Sequence, residues 1–199
     1  MSPERLNRLL AGFVFLASFL VYFSTMAPTV SFWDCGEFIA TSYRLGVPHP
    51  PGAPLFLILG RFFSLLPIPG DIAYRMNMIS VITSALAIML LYLIIVQFVR
   101  HWRGHIKSVE DKIIAFGGGG IGALVLAFTD SHWFNAVEAE VYAVSTLSTA
   151  LVVWLVLHWA ERAEETGSER YILIIAYVLG LSTGVHLLNL LAIPFMAMI

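Results

Sequence analysis

Two stretches early in the chain concentrate side chains able to move protons: Ser31-Phe32-Trp33-Asp34-Cys35-Gly36-Glu37-Phe38 and Val47-Pro48-His49-Pro50-Pro51-Gly52-Ala53-Pro54. If a helix begins near Trp33, Asp34 and Glu37 are three residues apart and share a face, so two carboxylates can hold a hydroxyl or a metal together. Like charges near a low-dielectric boundary push one pKa upward, which suits a general base. The plainer alternative is that one carboxylate caps the helix and the other is solvated. Pro48, Pro50 and Pro51 lack amide donors and hold the residues before them extended. His49 therefore rides on a stiff loop, either as a functional group or as a solvated turn residue.

A second stretch, Thr129 to Tyr142, carries Asp130, His132, Glu138 and Glu140. Glu138 and Glu140 are two residues apart, so on a helix they diverge and need not share a task. Acids at a helix start also favour the macrodipole without any chemistry. Trp133, Phe134 and Tyr142 fit an interfacial aromatic belt better than a stacking site. Asp130 and His132 lack a third ligand at metal-site spacing, so no metal set is assigned. His186 and Asn189 share a helix face, where interhelical hydrogen bonding is the alternative to substrate contact. Cys35, the sole cysteine, excludes an internal disulfide and a paired-thiol metal site, and reads as an unreactive small side chain.

These residues must be positioned by membrane helices. Of 199 residues 59% are hydrophobic and 12% charged, with a mean hydropathy of +0.84, against roughly 25% charged in a soluble domain. A water-soluble fold is excluded, and a net charge of -2 leaves no nucleic-acid footprint. About 20 apolar residues cross a 30 Å hydrocarbon core, and by that yardstick the spans are 9–25, 76–99, 113–128, 141–159 and 171–185. Another begins at 187–199, which suggests the N-terminal part of a longer protein. No small-residue cleavage site follows the first run, so it reads as a retained anchor. Gly117 to Gly120 lowers helix propensity but admits a close helix neighbour.

Arg5 and Arg8, and the segment from Arg100 to Lys107 with Lys112 beyond it, belong on the cytoplasmic side. Parity then forbids the apolar run Leu55 to Leu66 from crossing, which makes 27–75 one long outer loop containing interfacial helices. The expected fold is all-α, a polytopic integral membrane helical bundle. Asp34, Glu37, His49, Asp71, Asp130, His132, Glu138, Glu140 and His186 all fall at its outer face, where ionisable groups beside hydrocarbon are functional candidates. A transporter would instead place such groups near the midplane.

Trp33-Asp34-Cys35-Gly36-Glu37-Phe38, His49-Pro50-Pro51-Gly52, Val137 to Ala143 and Gly184-Val185-His186-Leu187-Leu188-Asn189 resemble the N-terminal region of a bacterial membrane family. That family is similar to eukaryotic transmembrane protein O-mannosyltransferases and belongs with the GT-C glycosyltransferases. The resemblance runs through essentially the whole chain. It implies a GT-C-like enzyme that moves mannose or a similar hexose from a polyprenyl-phosphate donor to a protein or glycan hydroxyl outside the bacterial inner membrane. By motif, Asp34 is the catalytic base and Glu37 its neighbour, with His49, Glu138, Glu140 and His186 toward the substrates. The O-mannosyltransferases usually continue the His-Pro-Pro stretch with Leu, where this chain has Gly52. The departing phosphate calls for a cation, for which Arg44, Arg61 and Arg75 are outer-side candidates and Arg61, in the interfacial helix, is favoured. No resident cofactor is assigned beyond the lipid-linked donor, and a divalent cation stays open. The competing reading is a non-catalytic membrane subunit that binds lipid or assembles an envelope complex.

Overall fold

The computed structural model describes residues 1–104 and 106–198. His105, in the basic segment, and Ile199, closing the final apolar stretch, lie outside the described residues. The first helix, α1 (Pro3–Thr25), starts where Ser2 caps the Arg5 amide and Pro3 occupies the first turn. Two shorter helices, α2 (Cys35–Arg44) and α3 (Pro54–Ser64), lie in the long loop that follows. α4 (Ile72–Arg103) is longer at both ends than the 76–99 expected, because the Asp71 carboxylate caps the Tyr74 amide at 2.7 Å and the basic residues Arg100 and Arg103 fit its last turn.

Next comes a composite element. α5 (Val109–Lys112), opened by a Ser108–Asp111 capping box, passes through a π-turn (Ile113–Gly117) into α6 (Gly118–Ala127). The chain then bends by 70° into α7 (Asp130–Ala136), a helix where the sequence reading expected only an outer loop. α8 (Val141–Ala160) and α9 (Glu169–Thr183) form an antiparallel pair, followed by a 3₁₀ turn (Leu187–Leu191) and α10 (Ala192–Met196). α1, α4 and α8 are long and apolar enough to cross a membrane, and the bent 109–136 element passes the same test as a pair. The 15 residues of α9 span about 22 Å, short of the full crossing expected over 171–185, and the 187–199 stretch is broken into two short turns of helix.

Antiparallel packing sorts the ends of these helices. At one end the Asn77 amide donates to the carbonyls of Ala27 and Thr29, Tyr22 donates to Ala127 O, and Leu55 N donates to Gly184 O. At the other, Arg100 pairs with Glu161, and Arg8 lines a cleft with Arg100 and Arg162. The long loop starts and finishes at the same end of the bundle, tied by Thr29 Oγ1 to Asp71 Oδ2 at 2.6 Å. In α3, Phe56, Leu57 and Gly60 are buried while Ile58 and Phe62 are exposed, so the helix packs one apolar face on the protein and leaves another uncovered.

One core fills the space between α1, α4 and α6 around Tyr22, Ile88, Tyr92 and Ala123. Of the glycine run, only Gly119 approaches α4: a Cβ there would meet Val96 Cγ2 at 2.8 Å, whereas Gly117, Gly118 and Gly120 face open space. Gly122, one residue beyond the run, packs as closely against Ile95. A second core, with Phe38, Phe56, Met76, Ile79, Ala139, Val144 and Val185, floors the loops at the acidic end.

Candidate active site

α2 forms because Cys35, Phe38, Ile39 and Ser42 fall on one face and are buried, with Glu37 in its first turn and Arg44 in its last. Leu45, in the left-handed region at φ 52°, ends it, its amide reaching the carbonyls of Ser42 and Thr41. Trp33, 84% exposed, also adopts a positive φ, 62°, and this kink turns the chain into the helix at Asp34. Asp34 holds the capping position but makes no side-chain capping bond. An N-cap aspartate ordinarily spends an oxygen on the second or third amide of its helix; here the carboxylate is exposed and free of that duty.

Glu37 is employed differently. One oxygen accepts the His49 backbone amide and the other the His49 Nδ1–H, both at 2.7 Å. The His49 bonds hold Glu37 below the usual carboxylate range, and the Glu37 bond raises His49 above its ordinary value. Glu37 is therefore an ionised brace for the proline loop, and the bond at Nδ1 turns the other ring nitrogen of His49 to other partners. The loop is fixed further by the buried Pro48, a bond from Gly52 N to His49 O and the Phe38 ring 5.8 Å from the imidazole. Ligand atoms of Asp34, Glu37 and His49 lie within 4.8 Å of one another, although the Glu37–His49 pair already engages Nδ1 and one Glu37 oxygen.

Glu138 and Glu140 precede α8 instead of lying on it, so the helical divergence expected for them does not apply. Glu140 N donates to Glu138 O, and the resulting turn buries both, at 4% and 6% exposure. Both face Cys35, whose Sγ lies 3.7 Å from Glu140 Oε1. The other Glu140 oxygen accepts the Val141 amide at 3.3 Å, and Ser80 Oγ lies 3.5 Å from the Glu140 backbone. Burial raises Glu140 to about 7, with the charges of Asp34 and Glu138 adding to it against the Val141 and Cys35 bonds. Burial also raises Glu138, while the Ser31 hydroxyl and the Cys35 thiol act in the opposite sense. Burial and the two carboxylates push the Cys35 thiol well up, which agrees with its reading as unreactive.

His186 completes the arrangement. Its Nδ1 accepts the Leu188 amide at 3.2 Å, which leaves the neutral ring's proton on Nε2, and the ring packs 5.4 Å from that of Tyr142. Asn189 does not line this region. It is a buried link that accepts from Ser145 and Thr149 and donates to Ser182 O, the interhelical role that was the alternative for it.

A cleft of about 50 Å³ lies between these segments, with Asp34, His49, Glu140, Tyr142 and His186 in its walls and Phe38 and Val185 among its apolar surfaces. Asp34, His49, Glu140 and His186 were all sequence candidates; Glu37 and Glu138 stand behind it as supports. Arg61 is not among its lining residues. The Arg61 guanidinium donates to Tyr43 O at 2.7 Å and lies over the Tyr43 ring, tying α3 to α2. Arg75 is likewise spent on the carbonyls of Ser64 and Gly70. Among the described residues lining the cleft the cation candidate is His49, and His186 offers a neutral Nε2–H donor.

Helices that cross a membrane and a carboxylate–histidine cleft at one end of the bundle define a multi-pass membrane protein with a site suited to proton transfer at its surface. The chain belongs to the family described as the protein O-mannosyl-transferase TMEM260 N-terminal domain, which matches residues 34–199. It is 29% identical over 197 residues to the protein O-mannosyl-transferase tmem260 of Dictyostelium discoideum, covering 92% of this chain and 22% of that protein. It is 29% identical over 170 residues to the protein O-mannosyl-transferase TMEM260 of Mus musculus, covering 85% of this chain and again 22% of the relative. The chain thus spans about a fifth of the length of these relatives, both eukaryotic. No solved structure matches it.

Proposed function

We propose that this chain carries the acceptor-side chemistry of a membrane glycosyltransferase. The enzyme transfers mannose or a similar hexose from a polyprenyl-phosphate donor to a protein or glycan hydroxyl on the extracytoplasmic side of a bacterial inner membrane. The observation that carries this reading is the convergence of Asp34, His49, Glu140 and His186, drawn from four separate segments, on one cleft. The names of the relatives support the glycosyl transfer. The collection of Arg5, Arg8, Arg100 and Arg103 at the opposite end supports an N-terminus in the cytoplasm.

In the proposed reaction the acceptor oxygen attacks the anomeric carbon, Asp34 takes its proton, and the bond from that carbon to the phosphate oxygen breaks with its electron pair leaving on the lipid phosphate. Asp34 suits the base because its helix does not occupy it. A base contributes roughly 10² to 10⁴-fold, and alignment of the two substrates supplies much of the remainder. The free ring nitrogens of His49 and His186 are the donors available to the phosphate, a role the sequence had given to Arg61. Glu37 positions His49 and is not a second base. Glu140, protonated in much of the population at neutral pH, presents a hydrogen-bond donor to a sugar or phosphate oxygen.

The test is transfer of radiolabelled hexose from a polyprenyl-phosphate donor to envelope acceptors by full-length protein in membranes, beside Asp34→Asn at matched abundance. Labelling that falls by at least about 10²-fold in the variant supports the assignment. Labelling unaffected by Asp34→Asn refutes it, and no labelling with any hexose donor favours a non-catalytic assembly role.

A further inference from the structure

The end of the bundle remote from Asp34 carries a second and larger cavity. One cleft of about 440 Å³ is lined by Asn7, Arg8, Val96, Arg100, His158 and Arg162, among others. Another, of about 290 Å³, shares the first five of these and adds Leu93, Gln97 and Trp154. The two are therefore continuous between α1, α4 and α8. Each is near or within the size range of sites that enclose a small molecule, about 300–1,000 Å³.

Its polar groups are unusual for a span. Gln97 is 6% exposed, and neither atom of its amide has a partner at full hydrogen-bond geometry; it lies near the Glu161 carboxylate, whose ionised form it favours. Asn7 Oδ1 is also buried without a partner. Buried polar groups are hydrogen-bonded as a rule, and an exception calls for an explanation such as a missing ligand. Arg8 has no ion pair among the described residues, whereas Arg100 is held by Glu161 at 2.6 Å and Arg162 donates to His158 O. Three guanidiniums thus stand against two carboxylates, Glu4 at the rim and Glu161. The walls between and below them, Leu93, Val96, Phe116 and Trp154, are apolar.

We propose that this cavity binds the phosphodiester headgroup of an anionic membrane lipid, with Arg8 as the principal cation, the Gln97 amide as an additional donor, and the first part of an acyl chain along Leu93, Val96 and Trp154. Guanidinium is the side chain matched to phosphate oxygens. Basic pockets between spans at the positively charged side of a bundle suit anionic headgroups. The apolar walls favour a lipid over a free anion, because inorganic phosphate would leave them uncovered. This site is separate from the cleft at Asp34 and does not depend on the reaction proposed there.

The experiment uses full-length protein in detergent and reads tryptophan fluorescence quenched by phosphatidylglycerol with brominated chains, Trp154→Phe identifying the reporting residue. Saturable quenching that is absent with brominated phosphatidylcholine and weakened about tenfold or more by Arg8→Gln is the expected result. Gln97→Leu, which keeps the side chain's bulk, also weakens binding while the protein stays monodisperse, and Arg8→Lys restores part of what Arg8→Gln removes. Equal quenching by phosphatidylcholine, or unchanged affinity in both Arg8→Gln and Gln97→Leu, would overturn the site. Displacement of the lipid by inorganic phosphate at concentrations comparable to the lipid's own would overturn the lipid as its occupant.

Discussion

Replacing Glu140 by glutamine isolates one buried proton. The side chain is 6% exposed, faces Asp34 and Glu138, and holds its proton up to about pH 7 against an ordinary 4.5. Below pH 4.5 the folded and unfolded chains both carry that proton, so it has no effect on stability. Between 4.5 and 7 the folded state keeps the proton that the unfolded state releases, and stability falls as pH rises, at up to 1.36 kcal/mol per pH unit. Above 7 both states have released it, and the full cost of about 3 kcal/mol is in place. Glutamine preserves the size and the acceptor for the Val141 amide but cannot ionise. The stability of Glu140→Gln relative to wild type should therefore grow from near its acid value at pH 4.5 by about 3 kcal/mol at pH 8. Unfolding of the detergent-solubilised full-length protein at pH 4.5, 6 and 8 measures this as a difference between variants, in which titrating groups remote from Glu140 cancel. A gap that does not widen with pH would refute the argument that burial keeps Glu140 protonated.

Two further substitutions probe the supports of the cleft. Glu37→Gln should lower the midpoint of His49 toward its ordinary value, because the bond that raises it is weakened; a histidine nitrogen titration by NMR that leaves His49 unmoved would contradict the bracing role. Gly60→Ala places a Cβ 2.5 Å from Ser42 Oγ and 2.6 Å from Met76 Cε, an overpacking that should cost about 1–3 kcal/mol, and an undiminished unfolding midpoint would show that α3 has room to shift.

Much of this architecture is legible in the chain. Run lengths located α1, α4 and α8, since hydrocarbon thickness acts on sequence directly. The unread parts depend on distance in space. Glu37 and His49 are twelve residues apart, across the end of α2 and the proline loop, and no periodicity encodes that bond. Glu138 and Glu140 were read as preceding the span that starts at 141, as they do, but spacing did not reveal the tight turn that brings both onto Cys35. α7 had a local signal, Thr129 before Asp130-Ser131, of the kind that opens helices. Gln97 interrupts the apolar run of α4, yet only its burial without a full hydrogen bond makes it informative. Arg61 was in the right helix and turned to Tyr43, a direction that hydropathy cannot carry.

The bond from Leu55 N to Gly184 O also has a bearing on biogenesis. It joins the loop behind His49 to the residues that deliver His186, and those leave the ribosome 129 positions after Leu55. At 5–20 residues per second that interval is roughly 6–26 s, during which α2 and its proline loop are already synthesised without their last wall. The cleft is therefore a late product of synthesis: a nascent chain arrested within α8 has Asp34, His49 and Glu140 but not the wall that His186 and Val185 supply.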